Sequence, residues 1–455
     1  MTTTTTDRLD RSVLTLAGVL VLGALAPLLD STIVTVAIHT LGGELDAPVS
    51  TVQWVSTAYL LALAMAVPIT GWSANRFGAK RMWIIALALF LAGSMLCGIA
   101  WNIGSLIAFR VIQGVGGGLM LPILQTLLLR AAGRERIGRL MAVVTLPVLI
   151  GPILGPVIGG VLVGHLSWRW IFYVNAPICI GAIVLAVRIL KPDPAPTAAA
   201  LDLPGLLLIS PALAGIIYGL SQVGEQGGFG HPAVFVPIGV GVALLLIFVL
   251  RKAADPLIDL TLFRTKSFAA STALLFLTGF GLYGAMLLLP LFYQQARGQT
   301  VTAAGLLLVP QGIGSLLARA AGGLTDRVGP RPVVLTGIAL TTIGTIPFAF
   351  SGTTYAVLAI ALVIRGAGLS AVNLAVMVGA FRDLEPAQIP HASSATRIMQ
   401  QLGGAFGAAT LAVILQNQLI GHQTGTAYAH SFLWAIAFTV VAAVPAVFLP
   451  ARASR

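Results

Sequence analysis

Charged side chains are scarce in this sequence, at 9% of 455 residues, against about 25% in a typical soluble domain. A water-facing surface cannot be covered with so few charges, which excludes a soluble globular fold. Cysteine is nearly absent too. Cys97 and Cys179 are the only two, and each sits inside an apolar stretch. Two cysteines cannot build a disulfide framework or a zinc cluster; buried, inert thiols are the plain reading. No Gly-Lys dipeptide occurs, which excludes a P-loop and direct ATP drive. Gly-x-Ser-x-Gly and His-Glu-x-x-His are also missing. The letters Gly279-Phe-Gly281-Leu-Tyr-Gly284 fit a dinucleotide fingerprint, but they lie in an apolar stretch with no strand before them. Five of the six histidines (His39, His165, His231, His422, His430) fall between apolar stretches, where solvated surface is the ordinary reading. No catalytic constellation, cofactor motif or metal-ligand spacing is present, so the sequence points away from an enzyme and calls for no cofactor and no metal.

Apolar length is what the sequence has in abundance. Hydrophobic residues make up 57% of it, in blocks of about 18–25 residues, enough for a helix to cross ~30 Å of hydrocarbon. Lipid offers the backbone no hydrogen bonds, so such blocks must be helices. The short alternating segments of a membrane barrel are absent. An all-α membrane protein is expected, with about fourteen transmembrane helices. Their expected limits are 12–38, 50–73, 83–100, 102–129, 140–164, 170–187, 203–220, 232–250, 268–291, 303–321, 333–350, 356–379, 394–415 and 432–449. The first apolar run is too long for a signal-peptide core and reads as an uncleaved span.

The basic residues orient this layout. With the N-terminus inside, 22 of the 26 Lys and Arg residues fall in inner segments, Arg397 among them. Arg169 and Arg297 fall in outer loops, and Arg110 and Arg365 lie within spans. Lys and Arg accumulate on the cytoplasmic side. The net charge of +12 is therefore a membrane-orientation signal, and no nucleic-acid partner is expected. A plasma-membrane protein with both termini in the cytoplasm follows.

The chain also repeats itself. Gly71-Trp-Ser-Ala-Asn75-Arg76-Phe-Gly78-Ala-Lys80 matches Gly322-Gly-Leu-Thr-Asp326-Arg327-Val-Gly329-Pro-Arg331, 251 residues later. Each copy falls on an inner loop after the second span of its half. Repeats of this kind mark transporters built from two related bundles. Residues 1–190 and 267–455 are expected to form one six-helix bundle each. Residues 191–266 would supply a Pro-rich linker and two inserted spans.

Charged residues away from the span ends are few: Asp30, Arg110 and Arg365. A charge at mid-membrane costs about 2.5–3.5 kcal/mol on insertion scales, and such residues face a cavity or a partner. Asp30 and Arg110 each lie about five residues outward of their span centres, or ~7–8 Å above the midplane at about 1.5 Å per residue. They can meet, directly or through water; the pair is read either as a working site or as a structural ion pair. Arg365 has a similar depth in the twelfth span. The fifth span carries Gly151-Pro152-Ile-Leu-Gly155-Pro156-Val-Ile-Gly159-Gly160. Glycines four apart let a neighbouring helix approach closely. Prolines four apart remove backbone donors and bend the helix, so the stretch reads as a shaped hinge or seal.

Together these residues resemble the major facilitator superfamily, and within it the fourteen-span drug:proton antiporters of the EmrB/QacA type. The resemblance covers nearly the whole chain. The inner-loop repeat is similar to the superfamily's general signature, and the Gly-Pro series of the fifth span to its antiporter motif. Leu106-Ile-Ala-Phe-Arg110-Val-Ile-Gln113-Gly114 is similar to the fourth-span motif associated with proton coupling. Leu29-Asp30-Ser-Thr32-Ile-Val-Thr35-Val-Ala37 is similar to the family's first-span motif, and Trp168-Arg169-Trp170-Ile-Phe172-Tyr-Val-Asn175-Ala-Pro177 also looks family-typical. Thr35, His39 and Asn75 depart from the family, which usually has Asn, Pro and Asp there.

The resemblance implies a major facilitator fold, and proton-coupled export of small amphipathic, lipophilic cationic compounds. A dedicated exporter of one antibiotic, lipid or metabolite stands as the alternative. Asp30 and Arg110 would couple protons. Gly71, Asn75, Arg76 and Gly78, with Asp326, Arg327 and Gly329, would gate the inner face. Thr32, Tyr59, Gln113, Tyr283, Gln311 and Arg365 are candidate substrate-lining residues. The implied partners are a small-molecule substrate, protons and the lipid bilayer, and the chain is expected to act as a monomer. A reporter fused after Arg455 should be active only when it requires the cytoplasm; activity only outside the cell would overturn the span count.

Overall fold

A computed structural model describes residues 11–132, 155, 158–193, 200–253, 255–318, 324–325, 327–350 and 352–451. Every regular element among them is a helix. The principal ones are α1 (Arg11–Glu44), α2 (Val49–Ala66), α3 (Thr70–Phe77), α4 (Ala79–Gly98), α5 (Ile103–Ala132), α6 (Asn175–Ile189) and α7 (Leu203–Gln222). They continue with α8 (Pro232–Leu250), α9 (Lys266–Leu291), α10 (Val309–Leu317), α11 (Pro330–Thr345), α12 (Tyr355–Phe381), α13 (Ile389–Gly421) and α14 (Thr424–Val441).

Among the described residues, 11 helices are long and apolar enough to cross a membrane, or 12 if the bent pair α2–α3 is one span. The expected second span is that pair, broken by 56° before α3. The expected tenth span is represented by a shorter apolar helix, Ala303–Leu317. Most of the expected fifth span lies outside the described residues, with Gly151, Pro152 and Pro156; its later part is helical over 158–165. Asp326, of the second inner-loop copy, also lies outside them. The thirteenth helix begins at Ile389, earlier than the apolar run, so Arg397 sits two turns inside α13 rather than in a loop.

Helix neighbours recur along the chain. α5 packs on both α2 and α4, and α12 packs on both α10 and α11. α6 packs on α1 and α4, and α14 packs on α9 and α11. Between these groups, α7 and α8 form an antiparallel pair. Asp202 caps the start of α7 by accepting from the Gly205 amide at 2.9 Å, and Arg251, at the end of α8, donates to the same carboxylate. α8 is buried only at Val234, Gly241 and Phe248, so most of its surface is left for lipid. α7 rests on α2, where the Ser210 hydroxyl donates to the Met65 carbonyl at 2.8 Å, and also on α13.

The repeated inner-loop sequence gives repeated backbone geometry. Gly78 and Gly329, its matched glycines, have φ of +93° and +90° and stand immediately before α4 and α11. At the first copy the turn is locked from outside. Asp193 accepts from the amides of Lys80 (2.9 Å) and Arg81 (3.1 Å), satisfying the open start of α4. The Lys80 ammonium donates to the carbonyls of Val187 (3.1 Å) and Leu190 (2.6 Å) at the end of α6. A Cβ on Gly78 would lie 2.2 Å from the Asp193 carboxylate. Gly78→Ala therefore combines a strained φ with a clash, at a cost of about 1–3 kcal/mol. It should lower the thermal midpoint by several degrees, while Gly425→Ala, which meets nothing within 4 Å, should not; equal midpoints would contradict this account of the turn.

Candidate functional site

The two ionisable residues that the sequence places at one depth meet in the structure. Arg110 of α5 donates through Nη1 to Asp30 Oδ2 of α1, and both are fully buried, at 1% and 0% exposure. The guanidinium is held from several sides. Its Nε donates to the Val55 carbonyl of α2 at 3.0 Å, its Nη1 to Gln113 Oε1 at 2.7 Å, and its Cζ lies 4.0 Å from the Tyr59 ring centroid. That face-on placement is a cation–π contact. Tyr59 in turn donates to the carbonyl of Pro27 at 3.3 Å, tying α2 to α1.

The second carboxylate oxygen is equally well served. Asp30 Oδ1 accepts from Gln113 Nε2 at 2.9 Å and from Asn175 Nδ2, at the start of α6, at 3.2 Å. Both amides also donate to Ser94 Oγ of α4, at 3.2 and 3.0 Å, and that hydroxyl donates to the Phe172 carbonyl at 2.8 Å. Thus α1, α2, α4, α5 and α6 converge on one carboxylate. Sequence reasoning missed Asn175 and Ser94. The available signal was an amide next to Pro177 within an apolar run. Gln113, a candidate substrate-lining residue, hydrogen-bonds both members of the ion pair.

Thr32 belongs to the seam beside this site. A Cβ on Gly155 would fall 1.9 Å from Thr32 Oγ1, and one on Gly159 would fall 2.8 Å from the Ile33 side chain. The fifth span therefore touches α1 two residues beyond Asp30, and only glycine permits that distance. Gly160 meets nothing within 4 Å.

The remaining candidates lie elsewhere. Arg365 is 3% exposed. It donates to Gln311 Oε1 at 2.6 Å and, at 3.5 Å, to the Gly281 carbonyl. Tyr283 is more than one-third exposed and packs against Gly404. At the basic end of the bundle, Asn75 joins elements distant in sequence. Its Oδ1 accepts from Arg130 at 2.9 Å and its Nδ2 lies 3.4 Å from His391 Nε2. His391 Nδ1 lies 2.9 Å from the Leu257 carbonyl. A Cβ on Gly71 would come within 3.2 Å of the backbone of Pro390 and His391, so α3 is in direct contact with the start of α13. Arg76 and Arg327 are both exposed.

Gly155→Leu should block the seam between the fifth span and α1. Protein that stays monodisperse with the fifth span displaced from α1, read by a cysteine pair across the seam that no longer cross-links, is the expected outcome; unchanged cross-linking would show that the seam tolerates a side chain.

Comparison with known proteins accords with this architecture. The family model described as Major Facilitator Superfamily matches residues 20–408. The chain is 38% identical over 420 residues, 90% of its length and 78% of the relative's, to the multidrug resistance protein B homolog of Mycobacterium tuberculosis. It is 30% identical over 427 residues, 90% of its length and 82% of the relative's, to the multidrug export protein EmrB of Haemophilus influenzae. The solved proton:xylose symporter XylE superposes with a TM-score of 0.66 at 16% identity, covering 95% of this chain and 94% of that one. An all-helical bundle of this fold, matched along most of its length by that model, makes the chain a member of the major facilitator superfamily.

Proposed function

We propose that this protein exports small amphipathic compounds in exchange for protons, with Asp30 as the proton-carrying group. The observation that carries the reading is the donor-only shell of Asp30. Arg110, Gln113 and Asn175 all present N–H groups to it. A protonated carboxyl must donate one hydrogen bond. That proton has no acceptor in the present shell unless Arg110 withdraws or an amide turns over. Asn175 Oδ1 is buried without a hydrogen-bond partner, so turning that amide would supply the acceptor. Proton loading thus requires a change in the hydrogen bonds that hold α1, α5 and α6 together. Thr32 and Gly155 lie beside Asp30, which gives the change a path into the fifth span.

The names of the relatives, a multidrug resistance protein and a multidrug export protein, support export of drug-like molecules. In this reading the protein is a fourteen-span member of the superfamily. Its six-helix halves, 1–190 and 267–455, flank the α7–α8 insert, and both termini face the cytoplasm. It works as a monomer in the plasma membrane. The cationic part of the substrate expectation has less support than the rest, because a cation must compete with Arg110 for Asp30.

Asp30→Asn tests the core of the proposal in proteoliposomes with an imposed pH gradient. Uphill efflux of fluorescent amphipaths should fall to the level of protein-free liposomes, with downhill exchange retained. Uphill pumping by Asp30→Asn at the wild-type rate would rule out Asp30 as the coupling acid.

A further inference from the structure

The second half of the chain keeps the arginine of the site but not its acid. Arg365 lies in α12, which packs on α10 and α11 as α5 packs on α2 and α4. Shifting Asp30 by the 251 residues of the inner-loop repeat lands on Gly281 of α9. Arg365 itself stands 255 residues after Arg110, one helical turn off that register, but the structure brings the two positions together: it is the Gly281 carbonyl that Arg365 approaches, at 3.5 Å. Where the first half offers a carboxylate, the second offers a residue with no side chain. The space beside it is open. A Cβ on Gly281 would meet nothing closer than Thr439 Oγ1 at 3.9 Å.

Arg365 is buried to the same degree as Arg110, yet its described partners are one amide oxygen and one carbonyl. Among the described residues it makes no ion pair with an acidic side chain. A guanidinium in hydrocarbon without a counter-charge is unfavourable unless a ligand supplies one. Its planar fork matches a carboxylate.

We propose that Arg365, with Gln311, receives a single oxyanion, a carboxylate, carried by an amphipathic substrate. The substrate anion stands over Gly281 as Asp30 stands against Arg110. This names the substrate class and rests on the exporter reading above. It predicts acids and zwitterions as cargo in preference to lone cations.

The test uses three matched probes: dansylglycine, its methyl ester, and the cation N-dansylethylenediamine. Binding to the full-length protein in nanodiscs is read by dansyl fluorescence at neutral pH. The acid should bind about tenfold tighter than the ester, as expected for about 1.4 kcal/mol, and the cation should bind no better than the ester. Arg365→Gln should bring the acid-to-ester ratio to about one, and Arg365→Lys should keep part of it. Gly281→Asp adds an internal counter-ion where there is room, and should abolish the preference with the arginine intact; Gly281→Ala should keep it. Should Arg365→Gln fail to fold, Gly281→Asp probes the same contact with the arginine in place. A wild-type ratio of one, or a preference that survives Gly281→Asp, overturns the proposal. Movement of the methyl ester down an imposed pH gradient tests the exporter reading separately. Carboxylate preference without such movement rejects proton-driven export and leaves the anion site standing. Movement without preference does the reverse.

Discussion

A carboxylate and a guanidinium placed together inside a membrane protein must stay together or be matched by something else. Removing one member of a buried pair costs about 3–5 kcal/mol, far more than the net worth of the pair. Asp30 and Arg110 impose that condition on the first half of this protein. The Val55 carbonyl, the Tyr59 face, Gln113, Ser94 and Asn175 all serve the remaining hydrogen bonds and the charge of this one pair. Because the pair and those groups come from five helices, the pair also determines how the helices sit against one another. The site and the packing of this half are one structure.

Much of this was legible in the sequence. Asp30 and Arg110 stand out because few ionisable residues fall in the spans, and helical rise alone puts them at one depth. The inner-loop repeat is legible for a different reason: a left-handed backbone before a helix needs glycine, and Gly78 and Gly329 mark it twice. The close seam against α1 could be expected from Gly155 and Gly159, since glycines four apart share a face. Asn175 and Ser94 were not legible, because a single amide or hydroxyl in an apolar run can equally bond its own helix. The early start of α13 was hidden as well. Residues 389–397 are too polar to read as membrane helix, yet they are helical because α3 and α5 pack against α13. The break between α2 and α3 falls at Pro68, just before the first copy of the repeat, but the apolar run continues across it and reads as one span.

At the basic end of the bundle a neutral amide links the two halves of the chain. Asn75 is held by Arg130 on one side and faces His391 on the other, and His391 is itself bonded to the backbone near α9. An aspartate at position 75 would place a negative charge against Arg130. The amide instead takes the Arg130 hydrogen bond without a charge of its own, and leaves the contact between the halves to its hydrogen bond with His391 and the backbone proximity of Gly71. Such bonds contribute about 0.5–1.5 kcal/mol each, weak enough to break on each transport cycle.

The α7–α8 hairpin touches both halves through a single helix. α7 lies on α2 and on α13, while α8 turns its apolar surface outward. If the halves rock against each other, α7 cannot follow both. It must slide along one of them, and the bond from Ser210 to Met65 makes α2 the side it holds. The hairpin then behaves as a friction bearing in the plane of the membrane. Its drag is set by side-chain interlocking with α13 and by the viscosity of the lipid around α8. Turnover would therefore respond to acyl-chain fluidity even when the driving gradient and the substrate are unchanged.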